Sequence, residues 1–179
     1  GAGRRGLAAF QIIGNLVPFI RDEEDKLVRE SRKILGRLAG GVVEPAPFSV
    51  NASCVRVPVR DGHLLSVVVE LDRAVDEEEA RAALAAFLGA PQELALPTAP
   101  ASPLLVRAEE DRPRPLSDLE ADTPGRARGM AVTVGRVRRS GRFLNLFALV
   151  HNTVRGAAGA SVLNAELAVA RGLIKETQP

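Results

Sequence analysis

The sequence predicts an α+β domain in which a mixed, largely antiparallel sheet carries helices on one face. Three observations point there. Stretches with strand-like apolar alternation fall in neighbouring pairs, Ser49 to Val59 with His63 to Leu71 and Met130 to Arg138 with Phe143 to Val150. Helical patterns stand outside these pairs, at residues 22–38, 76–88 and 156–171. No glycine-rich phosphate loop of the G-x-G-x-x-G kind lies between a strand and a helix.

Each element has a local cause. Asp22 to Leu38 opens with acidic residues suited to the positive end of a helix, sets Leu27, Ile34, Leu35 and Leu38 on one face, and meets Gly40-Gly41 as its stop. In the strand from Ser49, alternation puts Cys54, Arg56 and Pro58 on one face and Val55, Val57 and Val59 on the other, so Arg56 faces inward and needs an anionic partner. Asp61-Gly62 turns the chain and delivers His63 at the head of the next strand. Asp76 suits an N-cap for the helix ending at Leu88, with Glu79 as its capping-box partner. Residues 89–129, rich in proline, alanine and charge, read as a long connection holding one short strand, Leu104 to Arg107. A hairpin across Arg139 to Arg142 follows, and the alanine-rich helix from Gly156 to Arg171 is apolar most of the way round, which implies burial.

Composition narrows the function classes. The 179 residues are enough for one buried core, and 46% apolar content fits a globular chain without a membrane-length apolar run or a signal-peptide pattern, so the cytoplasm is expected. The single cysteine, Cys54, excludes an internal disulfide framework and a cysteine-rich zinc site, and two histidines without carboxylates at ligand spacing predict no metal. Twenty-four basic and 22 acidic residues are mixed along the chain, and with no Trp, no Tyr and six Phe there is no basic stripe with stacking aromatics for nucleic acid.

The ordered set Asn15-Leu-Val-Pro18, Glu23-Glu-Asp-Lys26, Cys54-Val-Arg-Val-Pro-Val59 with Gly62-His63, Val134-Gly-Arg136 and His151-Asn-Thr-Val-Arg-Gly-Ala-Ala158 resembles the aspartate-β-semialdehyde dehydrogenase family, in its archaeal and fungal branch. The likeness covers that family's second half, from Gly1 to about Ile174. It implies a fold like the C-terminal domain of glyceraldehyde-3-phosphate dehydrogenase, with residues 1–8 connecting to a Rossmann domain outside this chain, 9–150 binding substrate and forming a dimer or tetramer, and 151–179 a helix packing back on the Rossmann domain. The implied reaction is the NADP-dependent interconversion of L-aspartyl-4-phosphate and aspartate semialdehyde with phosphate, on a path to lysine, threonine and methionine, with the catalytic cysteine outside this chain.

The resemblance also implies roles. Arg56 holds the substrate α-carboxylate through its planar fork, His63 is the acid/base, Glu23 meets the substrate ammonium and Lys26 the phosphate, while Asn152, Gly156 and Ala157 lie on the cofactor side. Each has a plainer reading: Arg56 as half of a structural ion pair, His63 as a turn histidine, Glu23 and Lys26 as a solvated i,i+3 pair, Gly156 and the alanines as close helix packing. The acidic run leaves Glu24 as an alternative to Glu23. Cys54 reads as a small buried hydrophobe rather than a nucleophile, and His151 as a packing or cap residue rather than a second acid/base. A non-catalytic paralogue and a stand-alone dimerisation module are the other functional classes, and the chain by itself is expected to be inactive.

Overall fold

The computed structural model describes residues 12–121 and 123–174. They divide into two compact units at Val59/Arg60, and the connector expected over residues 1–8 lies outside the described residues.

In the first unit, helix α1 spans Glu23–Ile34, with Glu23, Glu24 and Asp25 in its first turn and Arg32 and Lys33 in its last, the charge order that suits the helix dipole. It stops four residues short of the expected Leu38. Gly36 is the reason: a Cβ there would run into the Glu44 carbonyl oxygen, so the chain leaves the helix and comes back as a hairpin, β1 (Arg37–Ala39) against β2 (Val42–Glu44). Gly40-Gly41, expected to stop the helix, is the hairpin turn, and both residues have positive φ. Arg37 and Glu44 face each other across the ladder with Nε–Oε2 at 2.6 Å, and Arg32 fastens the following segment through its Nε to the Ala46 carbonyl at 2.9 Å. The expected strand from Ser49 to Val59 does not form. Its one ladder contact is the antiparallel bridge between Arg56 and Val17, with N–H to O distances of 2.8 and 3.0 Å. Pro58 brings no N–H, so a ladder could not continue through it.

The second unit is built on a four-stranded sheet of order β3-β6-β5-β4, where β3 is His63–Glu70, β4 Leu104–Val106, β5 Val132–Ser140 and β6 Phe143–Val150. Only β4 runs parallel to its neighbour β5, so the sheet is mixed and largely antiparallel, as the alternation predicts. Helix α2 (Glu77–Ala85) packs Ala80 and Leu84 on Val134, Val137 and Leu104. Asp76 does stand at its N-cap and its side chain makes no cap bond, while the Glu79 carboxylate, paired with Arg73, also accepts the Asp76 N–H. A second cluster joins Leu96 and Met130 to Leu163 and Leu167 of helix α5 (Gly159–Ala170). That helix starts three residues later than expected: five residues, Val154–Ala158, first wind as a π-turn, with the Gly156 N–H reaching the His151 carbonyl at 2.9 Å. Within this chain Leu163 is its buried residue, and Val162 and Val169 are exposed.

Between β4 and β5 the connection is organised by one buried acid at the end of the short helix α4 (Pro115–Asp118). Asp118, 2% exposed, takes hydrogen bonds from the Arg112 guanidinium and from the Arg114 N–H at 2.6 Å, with Arg107 Nε at 3.4 Å. Its own carbonyl accepts from Thr133 Oγ1 of β5 at 3.1 Å. Burial alone pushes this carboxyl up. The Arg112 and Arg114 hydrogen bonds and the Arg112 and Arg107 charges outweigh it and hold the carboxyl below the usual range.

A carboxylate depressed on folding contributes its full stability above its unfolded pKa, about 3.9, and loses it as pH falls through the lower folded value. Asp118→Ala strips a buried arginine cluster of its counter-charge, so denaturant unfolding at pH 7 should show a loss of about 3–5 kcal/mol. The gap to wild type should narrow as pH drops below about 4. A gap that is constant from pH 7 to 3 would contradict the charged role of Asp118.

Candidate functional site

In the second unit the site candidates gather at one end of the β3–β6 pair. His63 is the first residue of β3 and stands opposite Val150, the last of β6, which leaves its imidazole exposed at the end of the ladder. Just before it Gly62 adopts φ +105°, open to glycine and strained for other residues, and a Cβ there would lie 2.8 Å from Leu119 Cδ2. The Gly62 N–H donates to Asn152 Oδ1 at 2.9 Å, across 90 residues of sequence. Sequence reasoning places Gly62 in the turn but gives no sign of this bond, because a side chain two residues beyond a strand end has no local pattern that names its partner.

Asn152 is itself held by the turn that follows. His151 is buried, its carbonyl receives the Gly156 N–H, its Nδ1 lies 3.3 Å from Thr153 Oγ1, and its Nε2 lies 3.8 Å from Glu120 Oε1. Gly129 leaves room for the ring, since a Cβ there would meet His151 Cδ2 at 3.1 Å. His151 is thus a packing residue. Gly156 and Ala157 are exposed on the π-turn, and the nearest atom to a Cβ built at Gly156 is the His151 carbonyl oxygen at 3.6 Å. This strip of backbone is open to close approach.

The other three candidates belong to the first unit. Arg56 has its backbone fixed by the bridge to Val17, but its side chain is exposed and has no ion pair among the described residues. The expectation of an inward-facing arginine is therefore corrected: without a continuous strand, alternation does not determine which way residue 56 points. Glu23 and Lys26 form the i,i+3 pair at 3.7 Å, with 47% of the lysine side chain exposed. Glu24, the alternative to Glu23, is engaged elsewhere, its Oε1 accepting the Cys54 N–H at 2.8 Å. Cys54 is half-buried, and burial pushes its thiol up, with Glu24 and Glu23 adding to the shift. A thiol held protonated is a poor nucleophile, which fits a packing role. Among the described residues no cluster of three or more His, Cys, Asp or Glu is placed to hold a metal, and no helix is long and apolar enough to cross a membrane.

A mixed sheet with helices, an exposed histidine at a strand head and a small-residue turn beside it describe an α+β domain. Residues 2–155 match the family described as semialdehyde dehydrogenase, dimerisation domain, and the chain belongs to that family. It is 52% identical over 170 residues to an aspartate-semialdehyde dehydrogenase of Methanothermobacter thermautotrophicus, which covers 93% of this chain and 48% of the relative. A protein named malonyl CoA reductase (NADP), from Metallosphaera sedula, is 36% identical over 97% of the chain and 49% of its own length. Among solved structures, aspartate semialdehyde dehydrogenase with NADP from Candida albicans superposes with a TM-score of 0.86 at 36% identity, over 94% of this chain and 48% of that one. The chain spans about half the length of the relatives it matches.

Gly62→Ala tests the turn. The strained φ and the overlap with Leu119 together should cost about 1–3 kcal/mol, read from thermal or denaturant unfolding. Adding Leu119→Ala to Gly62→Ala should relieve the overlap and leave the φ strain, so the pair of substitutions should cost less than the sum of the two alone; strict additivity would mean that Leu119 does not crowd Gly62.

Proposed function

We propose that this chain is the substrate-binding and dimer-forming part of an NADP-dependent aspartate-semialdehyde dehydrogenase, a cytoplasmic enzyme of lysine, threonine and methionine biosynthesis. The observation that carries this reading is the exposed His63 at the head of β3, fastened through Gly62 to Asn152, in a chain 52% identical to an archaeal enzyme of that name. The remainder of the protein contributes a Rossmann domain and the cysteine nucleophile, and the part present here is inactive alone. The protein works as a homodimer or tetramer.

In this reading the thiolate attacks the acyl carbon of aspartyl-4-phosphate, the bond from that carbon to the phosphate oxygen breaks, and a thioester forms as phosphate leaves. NADPH, when bound, would supply a hydride to the thioester carbon, and cleavage of the carbon–sulfur bond then releases the aldehyde and returns the cysteine as thiolate. His63 takes the thiol proton before attack and moves a proton to or from the reacting oxygen, a task suited to an imidazole near neutral pH. Arg56, whose guanidinium has no ion pair among the described residues, receives the α-carboxylate as a two-pronged pair. Glu23 meets the ammonium and Lys26 the phosphate, which their exposed mutual pair at 3.7 Å allows, because such a pair is weak and easily exchanged for a ligand. Glu24 is the poorer choice, since its carboxylate already holds the Cys54 N–H.

Asn152, Gly156 and Ala157 fit a nicotinamide. The Asn152 carbonyl is taken by Gly62 while its NH2 keeps both donors, and the exposed Gly156–Ala157 backbone has no side chain larger than a methyl to hold a flat ring away. In this reading the segment from His151 onward packs back on the Rossmann domain, with the turn beside the cofactor.

Restored to its full length, the protein should reduce NADP in the presence of aspartate semialdehyde and phosphate. His63→Ala should lower kcat roughly 10²–10⁴-fold. Arg56→Ala should cost roughly 10–100-fold in kcat/KM, mostly as a raised KM for the semialdehyde. Malonyl-CoA, which has no ammonium for Glu23 to meet, should be turned over poorly; efficient turnover of it with no response to aspartate semialdehyde would replace the substrate. A wild type silent on both that still dimerises would move the protein to the non-catalytic paralogues.

A further inference from the structure

We propose that Asn152 is a positioning residue for His63 as well as a cofactor-side residue, so that one amide group couples the nicotinamide seat to the acid/base. The inference rests on the reading of His63 as the acid/base and goes beyond it. The paired register of β3 and β6 ends at His63 opposite Val150, so the ladder fixes the histidine from one side only. On the other side the chain bends through Gly62 at φ +105°, and there the Gly62 N–H is met by Asn152 Oδ1 at 2.9 Å. A side chain from beyond the end of β6 thereby fixes the residue immediately before His63.

The amide has two ends with different work. Its oxygen accepts from Gly62, and its NH2 carries two donors that have no protein partner among the described residues. The position of Asn152 is in turn set by the π-turn, in which the Gly156 N–H closes on the His151 carbonyl and buried His151 packs against the open space at Gly129. A ligand that takes the NH2 donors therefore holds the same planar group that holds the Gly62 N–H, and an occupied cofactor seat fixes the turn from which His63 projects. Since misplacing a catalytic group by about 1 Å can cost about 10²-fold in rate, this one bond is large enough to matter to turnover.

Asparagine, alanine and aspartate at position 152 separate the two ends. Aspartate keeps an oxygen for Gly62 and loses the donors, whereas alanine loses both. In the full-length protein, hydrogen exchange at the Gly62 amide should be slow in wild type and in Asn152→Asp, fast in Asn152→Ala, and slower still in wild type when NADP is added. Steady-state kinetics should show kcat falling about 30- to 100-fold in Asn152→Ala and largely recovered in Asn152→Asp, while the KM for NADP rises in both. A merely structural asparagine would lower thermal stability in Asn152→Ala without splitting kcat from KM in this way. Unchanged Gly62 exchange in Asn152→Ala, or a raised KM for NADP with kcat intact in both variants, would overturn the proposal. The exchange measurement and the His63 ring resonance, displaced in Asn152→Ala, need no substrate. They judge the positioning even if the wild type is silent with aspartate semialdehyde, a result that would sink the proposed reaction alone.

Discussion

The second unit depends on one buried charge. Asp118 sits in a segment without long regular elements of its own, where the backbone has few internal hydrogen bonds to order it. Its carboxylate gathers Arg112, the Arg114 N–H and Arg107, and its carbonyl is tied to Thr133 of β5, so the connection is pinned to the sheet from both its side chain and its backbone. Buried charge of this kind is costly unless nearly every lone pair is used, and here the pairing outweighs the burial, as the lowered carboxyl shows. The next residue, Leu119, presents its methyl groups to Gly62. The acid thus sets the wall against which the His63 turn is built, and the requirement for glycine at 62 follows from it.

Much of the fold was legible because strand alternation and helix periodicity are local. The hairpin of β5 and β6, the strand from His63 and the helix after Asp76 all lie within a few residues of their expected places. The errors share a cause, which is that the same residue types serve different backbone tasks. Gly40-Gly41 is as good a hairpin turn as a helix stop, and only the overlap between Gly36 and Glu44 decides between them. Glu79 does two tasks at once, pairing with Arg73 and accepting the Asp76 N–H. At Gly159, the first residue of α5, a Cβ would collide with the Met130 sulfur, a contact between residues 29 apart that no local pattern carries.

The site was legible in a different way. Arg56, His63 and Asn152 stand out as polar or charged residues next to apolar runs, and the motif order of a family implies the roles proposed for them. What the sequence could not supply was their state. Strand alternation turned Arg56 inward, but a single bridge to Val17 is not a strand, and the side chain is exposed. Glu23 and Glu24 are neighbours with equal chemistry, and they are separated only by a hydrogen bond from Cys54, 30 residues after Glu24.

Apolar exposure completes the argument about what kind of domain this is. Strand β3 is an edge strand with apolar residues directed to both of its faces: Leu64 and Val68 on one, Leu65 and Val69 on the other, each 39% exposed or more. A lone domain normally protects such an edge with charge, proline or a bulge. Here β3 carries none of these before Glu70, while the bulge of the sheet lies in β5 between Gly135 and Arg138, two strands away. Surface of this composition fits a family described by its dimerisation, since burying apolar area against a neighbour contributes roughly 25 cal/mol per Å² and offsets the cost of leaving the strand uncovered in the single chain. The same strand begins with His63. On the proposed reading of His63 as the acid/base, the Asn152–Gly62 bond, made wholly within the second unit, is the part of its fixation that the chain provides for itself.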